Sequence, residues 1–235
     1  MRDRHERPNL IRLTRLGFVN AYLVSEGEEL TLVDTMISGS ADGILAAAAG
    51  LERPIRRIVL THGHSDHAGS LDALSARLPD AEIAVSAREA RLLGGDWGFE
   101  PGEPASKLRG GWPKVTTAPT RLLEPGDHVG SLLVVAAPGH TPGHIALLDE
   151  RDGTLIAGDA FSTLGGVSTT GRINPRFPLV GMSTWDRPTA NRTAATLRTL
   201  QPAALAVGHG PVVADPLAAI DRALATVVGD LPVAA

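Results

Sequence analysis

The sequence predicts an α+β fold made of layers of mixed β-sheet and helix. Short apolar, β-branched runs and helical runs occur in both halves of the chain, and several neighbouring strands are joined by hairpin-like connections. Such hairpins argue against a doubly wound parallel sheet, because parallel strands need long crossover connections. The 235 residues suffice for one large domain or two small ones, and no internal repeat is visible.

The first half of the chain is predicted to alternate strands with helices. Apolar, β-branched runs predict strands, and apolar residues spaced by three or four positions predict helices. The predicted strands are 20–24, 30–35 and 55–61. One helix is predicted after Ser40 and a second from His67 to Leu78, and one more strand and helix precede Gly94.

Two long segments carry no regular pattern. Residues 94–119 are rich in Gly and Pro and hold two of the three tryptophans, and residues 161–183 form a second irregular stretch. Loops of this length are usually functional. Around them we expect four strands over about 120–160, a helix from Asp186 to Leu200, a strand from Ala204 to Gly210 and a closing helix with Pro216 near its first turn.

Composition limits the function classes. Hydrophobic residues make up 43% of the chain and charged residues 20%, which is typical of a globular protein. The formal charge of -4 repels phosphate, so we expect no nucleic-acid partner. Cysteine is absent, so any metal must be held by imidazole and carboxylate groups. The N-terminal segment lacks the apolar core of a signal peptide, and the apolar runs are too short to span a bilayer, so we expect a cytoplasmic protein without a membrane partner.

Three histidines and an aspartate fall within six consecutive positions. The stretch VLTHGHSDHAGS carries His62, His64, Asp66 and His67 between the end of a predicted strand and the start of a helix. The backbone is fixed on both sides of such a loop, which makes it a good platform for chemistry. Capping of the helix is the structural alternative for Asp66.

Further histidines and an aspartate occur later in the chain. PGHTPGH carries His140 and His144, IAGDAF carries Asp159, and VGHG carries His209. Each segment is a strand end or a Gly-rich turn, from which a side chain can point towards a shared centre. These placements are hard to explain as solvated surface, and together with the first cluster they indicate a metal site.

Together these motifs strongly resemble those of the metallo-β-lactamase-fold hydrolase superfamily, from about Asn20 to Gly210. The resemblance implies one domain over residues 1–235, a four-layer αββα sandwich of two mixed sheets flanked by helices, with two αβ halves that meet near residue 118. It also implies two metal ions at the sheet edges where the halves meet. The implied ligands are His62, His64 and His140 for one ion, Asp66, His67 and His209 for the second, and Asp159 as a bridge between both.

Two more residues have supporting roles by the same resemblance. The family places its ligand at the first histidine of PGHTPGH, which favours His140 and leaves His144 as a supporting or core residue. Asp34 matches an aspartate that the family often carries at the end of a strand, where it would support the ligands. A turn-forming aspartate is the alternative for Asp34.

The donor set predicts a hydrolase. Imidazole and carboxylate suit Zn²⁺, with Fe, Mn or Co as substitutes. Two such ions can share a bridging hydroxide that attacks a carbonyl carbon, and they stabilise the resulting oxyanion. We therefore predict a dinuclear metal-dependent hydrolase of a small acyl substrate (an ester, lactone or thioester) that is a monomer or homodimer. A protonated Asp66 or a metal-bound water would supply the proton of the leaving group.

The resemblance also indicates which branches of the family this sequence is most similar to. A bridging Asp159 resembles the thioesterase and lactonase branches. Hydroxyacylglutathione hydrolases share all seven ligand types, but they bind glutathione through a basic C-terminal region, and here a single basic residue, Arg222, follows Gly210. Three alternatives stay open: a β-lactamase-type lactam hydrolase, a persulfide dioxygenase with one iron, and a non-catalytic metal-binding protein.

Aromatic residues in the two irregular segments are candidates for substrate contacts. Trp97 and Trp112 lie in the first segment, and Phe161 and Phe177 lie in the second. Such side chains can form an apolar wall for an acyl chain or ring. Packing of these aromatics within their own loops is the alternative.

Overall fold

Two β-sheets with helices on their outer faces form the fold in the computed structural model, which describes residues 1–227. Within this range the larger sheet has seven strands, which follow one another in chain order. They are β1 (Arg2–Arg7), β2 (Leu10–Arg15), β3 (Val19–Glu26), β4 (Glu29–Val33), β5 (Ile55–Val59), β6 (Glu82–Ser86) and β7 (Arg121–Leu123). Strands β1 to β4 pair antiparallel and β4 to β7 pair parallel, so the sheet is mixed.

Helical crossovers connect the parallel strands of this sheet. These helices are α1 (Ala41–Gly50), α2 (Ser65–Ala68), α3 (Leu71–Ser75) and α4 (Ala87–Leu93). Helix α4 begins with a side-chain cap, because the Ser86 hydroxyl accepts the backbone N–H of Glu89.

The smaller sheet is formed by the second half of the chain. In the described residues it has six strands, in the order β15-β14-β11-β10-β9-β8. They are β8 (His128–Val129), β9 (Leu132–Ala136), β10 (Ile145–Asp149), β11 (Thr154–Ile156), β14 (Ala204–Ala206) and β15 (Val213–Ala214). The pair β12 (Phe161–Ser162) and β13 (Ser168–Thr169) stands apart, and the helices are α5 (Leu179–Ser183), α6 (Arg187–Thr199) and α7 (Leu217–Ala225). Strands β11 and β14 pair parallel and the other neighbours pair antiparallel, so this sheet is also mixed.

Three apolar clusters define the layers. One cluster contains residues from both sheets and lies between them. A second lies between the larger sheet and helices α1 and α3, and a third between the smaller sheet and helices α6 and α7. Helix, sheet, sheet and helix therefore follow one another, and the predicted αββα fold is confirmed.

The prediction of one continuous helix from His67 to Leu78 is wrong. The structure forms α2 and α3 instead, because the chain turns at Gly69 and Ser70. The Ser70 hydroxyl donates to the carbonyl oxygen of Ile37 at 2.7 Å, which ties this turn to the loop after β4.

Two other segments differ from the sequence prediction. The hairpin of β1 and β2 was not predicted, and the segment 161–183, expected to be irregular, contains β12, β13 and α5. Residues 94–119 contain neither strand nor helix, in agreement with the prediction. Among the described residues, no helix has the length and apolar character needed to cross a bilayer.

Candidate metal centre

The seven predicted ligands lie together where the strand ends of the two sheets meet. They are His62 and His64 after β5, Asp66 and His67 in α2, His140 before β10, Asp159 after β11 and His209 after β14. Their nitrogen and oxygen atoms form overlapping groups in which each atom lies within 4.8 Å of the others. We call His62, His64 and His140 the three-histidine group, and Asp66, His67 and His209 the mixed group.

Hydrogen bonds orient the rings of the three-histidine group. Nε2 of His64 lies 2.9 Å from the carbonyl oxygen of Arg109, so Nε2 carries the hydrogen and Nδ1 presents a lone pair. Nδ1 of His140 lies 3.1 Å from the hydroxyl of Thr184, which itself donates to the carbonyl oxygen of Thr170. Nδ1 of His140 therefore donates, and its Nε2 faces Nδ1 of His64 at 3.0 Å. Two lone pairs at this distance repel each other unless a cation lies beside them.

Asp34 supports a histidine in each group. Its carboxylate accepts the Nδ1–H of His67 at 2.8 Å, and it also accepts the backbone N–H and the hydroxyl of Thr61. Because the Thr61 hydroxyl has donated its hydrogen, it accepts from Nδ1 of His62 at 3.1 Å. Asp34 has a φ of 63°, a backbone conformation that aspartate tolerates better than most residues. The Nε2 atoms of His62 and His67 are thereby left to face the other candidate ligands.

The mixed group combines imidazole with carboxylate. Nδ1 of His209 donates to the carbonyl oxygen of Phe18 at 3.0 Å, and its Nε2 lies 3.2 Å from Oδ2 of Asp66. The N-cap residue of α2 is His64. Asp66 lies inside this helix, and its side chain points towards His209. The helix-cap alternative for Asp66 is therefore not observed.

Asp159 lies between the two groups. Its Oδ2 is 3.4 Å from Nε2 of His140 and 3.3 Å from Nε2 of His209, and its Oδ1 is 3.5 Å from Nε2 of His67. The backbone N–H of Asp159 donates to Nε2 of His144 at 3.0 Å. The geometry thus brings His140 into the cluster and leaves His144 as a buried support for the Asp159 backbone.

The electrostatics of the two groups differ. Burial lowers the pKa of all three members of the three-histidine group, that of His64 to about 4, so these rings are neutral at pH 7. Burial alone would also lower the pKa of His209, but the neighbouring carboxylates of Asp159 and Asp66 raise it to about 9. Burial would raise the pKa of Asp66 and Asp159, yet the adjacent imidazoles hold both well below the usual range. The carboxylates therefore favour positive charge in the mixed group, whereas burial keeps the three-histidine group neutral.

The donor set fits a pair of divalent metal ions. Within the described structure, Nε2 of His62, Nε2 of His67 and Oδ1 of Asp159 are buried without a hydrogen-bond partner. Buried polar atoms in proteins are nearly always bonded, so three such atoms in one cluster need an explanation. Imidazole nitrogen and carboxylate oxygen are the ligands that Zn²⁺ and related ions prefer.

A narrow cavity lies over the cluster. Its volume is about 70 Å³, and its walls include Phe18, Phe177, Leu179, Gly110 and Gly111. Pockets for small molecules usually measure several hundred Å³. The cavity is therefore narrower than a usual small-molecule pocket, and five of the candidate ligands also line it.

The four predicted substrate-contact residues lie in different surroundings. Phe177 lines the cavity, and the Trp112 ring packs edge-on against His64 with centroids 5.0 Å apart. Trp97 is 46% exposed, and its ring makes a tilted contact with Trp112 at a centroid distance of 5.6 Å. Phe161 is fully buried in the cluster that faces α6 and α7, which is the packing alternative that the sequence left open.

One buried acidic residue near the centre was not singled out from the sequence. Glu89, in the first turn of α4, is fully buried and accepts hydrogen bonds from the backbone N–H groups of Gly63 and Gly143 and from the Thr141 hydroxyl. Burial raises the pKa of Glu89 to about 7, although these donors favour its ionised form. Its only signal in the sequence is a glutamate in an otherwise ordinary helix start.

The sequence model of the metallo-beta-lactamase superfamily matches residues 14–209. This chain belongs to the metallo-β-lactamase superfamily. The matched region contains all seven candidate ligands, and the family predicted from the motifs is confirmed.

Relatives within the superfamily agree with this assignment. The uncharacterized protein YobT of Bacillus subtilis (strain 168) is 45% identical over 84% of this chain and 85% of its own length. The probable metallo-hydrolase YflN of the same organism is 30% identical over 85% of this chain and 81% of its own length. A hydroxyacylglutathione hydrolase of Aeromonas hydrophila is 32% identical over 54% of this chain, a match that spans 41% of that enzyme. The prediction of a metal-dependent hydrolase is confirmed at this level.

Solved structures of the superfamily share the fold. The metallo-beta-lactamase family protein TTHA1429 from Thermus thermophilus has a TM-score of 0.68 and 25% identity, covering 96% of this chain and 81% of that one. TTHA1623, solved in a di-iron-bound form, has a TM-score of 0.64 and 28% identity, covering 88% of this chain and 94% of that one.

Proposed function

We propose that this metal-dependent hydrolase binds two divalent ions and cleaves a small ester, lactone or thioester. The position of Asp159 carries the proposal. Its carboxylate oxygens lie 3.3 to 3.5 Å from Nε2 of His67, His140 and His209, so one buried carboxylate faces both groups of candidate ligands. A shared carboxylate suits two ions about 3.5–4 Å apart, as in two-metal hydrolytic sites.

The three-histidine group would hold one ion and the mixed group the other, with Asp159 as the bridge. Zn²⁺ is the ion that this donor set favours, and iron is the competing choice because TTHA1623 was solved in a di-iron-bound form. When bound, the pair would supply a water that is nucleophilic at neutral pH and would polarise the acyl carbonyl.

Asp66 is the proposed proton-transfer group. It lines the cavity, and the adjacent imidazoles keep its carboxylate ionised at neutral pH. With Oδ2 directed at the mixed group, the other oxygen of Asp66 would accept a proton from the attacking water and deliver it to the leaving alkoxide or thiolate. The protonated Asp66 of the sequence hypothesis would thus arise during the reaction rather than before it.

The acyl class rests on two further observations. A relative of this chain is a hydroxyacylglutathione hydrolase, which supports a thioester or ester bond as the target. Phe177 and Leu179 in the wall of the cavity over the ligands suit contact with an apolar acyl group.

Metal content and an activity panel test the proposal. We expect two ions per chain, hydrolysis of an ester, lactone or thioester, and loss of this activity with a chelator until Zn²⁺ is restored. Asp159→Asn should weaken the binding of both ions. The matched control is Asp149→Asn. Asp149 is a buried aspartate at the end of β10 that bonds to Arg151, and its change should leave both ions bound.

Other outcomes would replace the proposal with one of its alternatives. A single iron with consumption of oxygen would indicate the persulfide dioxygenase. A preference for β-lactams over the whole acyl panel would indicate a lactam hydrolase. Two tightly bound ions with no hydrolysis of any substrate in the panel would indicate a non-catalytic metal-binding protein.

A further inference from the structure

Glu89 is a buried carboxylate that touches both loops of the three-histidine group. One oxygen, Oε2, accepts the backbone N–H of Gly63 at 2.8 Å. The other, Oε1, accepts the backbone N–H of Gly143 at 3.0 Å and the hydroxyl of Thr141. Gly63 separates His62 from His64, and Thr141 follows His140. A single side chain therefore links the two loops that carry these ligands.

These two loops belong to different sheets. The loop with His62 and His64 follows β5 of the larger sheet, and the loop with His140 precedes β10 of the smaller one. The ladder of neither sheet joins them. One backbone hydrogen bond, from the N–H of Ile145 to the carbonyl oxygen of Thr61 at 3.0 Å, links their ends next to β5 and β10. Glu89 lies at the start of α4, whose cap residue Ser86 also donates to the carbonyl oxygen of Gly143 at 2.6 Å.

The His140 loop approaches α4 so closely that position 143 must be a glycine. A Cβ on Gly143 would lie 2.6 Å from the backbone nitrogen of Glu89 and 2.7 Å from Cβ of Arg88. Any larger residue would push the His140 loop away from α4. Glu89 itself is not among the residues that line the cavity, so a role in contact with substrate does not explain it.

We propose that Glu89 is a positioning residue that sets the spacing between His62 and His64 on one side and His140 on the other, and thereby the affinity of the metal site they form. This inference rests on the proposed function, since it concerns the same metal site. In its ionised form the Glu89 carboxylate presents acceptors, and no donors, to the N–H groups of both loops.

The test compares Glu89→Gln with Glu103→Gln. A glutamine has one acceptor oxygen and one NH₂ group, so its NH₂ must face an N–H or O–H donor of one of the loops. Glu103 is the matched control because its carboxylate also binds α4, through Arg88 at 2.6 Å, without touching either ligand loop. The measurements are Zn²⁺ affinity by competition with a chromophoric chelator and the visible spectrum of the Co²⁺-loaded protein.

We expect Glu89→Gln to weaken one of the two Zn²⁺ affinities about 10- to 100-fold and to change the Co²⁺ spectrum. Glu103→Gln should match the wild type in both measurements. Unchanged affinity and spectrum in a folded Glu89→Gln protein would overturn the inference while leaving the proposed function intact. A wild-type chain that binds no Zn²⁺ or Co²⁺ would instead remove the proposed function itself.

A second pair of variants covers the case in which Glu89→Gln does not fold. Thr141→Val removes one donor to Glu89, whereas Thr141→Ser keeps the hydroxyl. We expect the valine variant to bind Zn²⁺ more weakly and the serine variant to recover the wild-type affinity and Co²⁺ spectrum. Equal affinities for the two variants would contradict a positioning role for Glu89.

Discussion

The loop 109–112 lies directly on a candidate ligand, and substitution of Gly110 by alanine tests that contact. Gly110 has a φ of +82°, and a Cβ added there would lie 2.6 Å from Cε1 of His64 and closer still to its Nε2. Carbon atoms pack at about 3.5–4.0 Å, so the loop or the ring must shift by about 1 Å. Either shift breaks the hydrogen bond from His64 to the carbonyl oxygen of Arg109.

Gly102 supplies the control, because it lies in the same irregular segment with a similar φ of +89° and has no atom within 4 Å of an added Cβ. Alanine at either position adds about 1–2 kcal/mol of backbone strain. At Gly110 the overpacking adds about 1–3 kcal/mol more. We therefore expect the Gly110→Ala protein to unfold with a free energy about 1–3 kcal/mol lower than that of Gly102→Ala.

Two assays separate strain from the effect on the ligand. Denaturant unfolding in the presence of chelator gives the difference in stability between the two variants. Zn²⁺ competition gives the affinity, which we expect to fall about 10- to 100-fold for Gly110→Ala and to stay at the wild-type value for Gly102→Ala. If the two variants bind Zn²⁺ equally, the loop does not orient His64 and the reasoning fails.

Three further predictions concern substrate, proton transfer and pH. Trp112→Ala should raise KM for an apolar ester, because it removes the ring that covers His64, and an unchanged KM would mean that Trp112 only anchors its loop. Asp66→Asn should lower kcat more than metal content, and normal turnover with normal metal would exclude Asp66 from proton transfer. Burial raises the pKa of Glu89 from 4.5 to about 7, so the carboxyl group of Glu89 holds its proton more tightly in the native state than in the unfolded state. The stability that comes from this protonation is present below pH 4.5 and is lost as pH rises through 7. With chelator present, the unfolding free energy of the wild type minus that of Glu89→Gln should therefore fall by about 3 kcal/mol between pH 4.5 and 8, and a flat difference would contradict the assigned burial.

The set of residues that meets at the centre was predictable because two constraints coincide. Histidine and aspartate are chemically distinctive, and each of the seven follows or precedes a strand whose apolar pattern is visible in the sequence. Strand ends of a two-sheet sandwich meet at a common edge, so positions as distant as His62 and His209 become neighbours once the fold is known. Asp34, immediately after β4, was named because it matches an aspartate that the family often carries at the end of a strand.

Other features depend on tertiary contacts that a single sequence does not encode locally. The break between α2 and α3 comes from a hydrogen bond between Ser70 and the distant Ile37 carbonyl. Phe161 was assigned to the substrate side on composition alone, while its burial against α6 and α7 follows from how those helices cover the smaller sheet. Glu89 was overlooked because its importance lies in the two loops it joins, both far from it in the chain.

Chemistry and selectivity are therefore carried by different parts of this molecule. The candidate ligands sit at strand ends or in α2, which starts in the loop after β5, and are held by buried hydrogen bonds such as those of Asp34, so their geometry changes little without loss of the fold. Apart from Phe18 and the candidate ligands themselves, the walls of the narrow cavity come from loop 109–112 and from residues 177–183, outside both main sheets. Loop substitutions cost little stability when they avoid close contacts. Changes in these two segments should thus alter which acyl group is accepted, while changes of the ligands at the strand ends should weaken metal binding and lower activity towards every substrate.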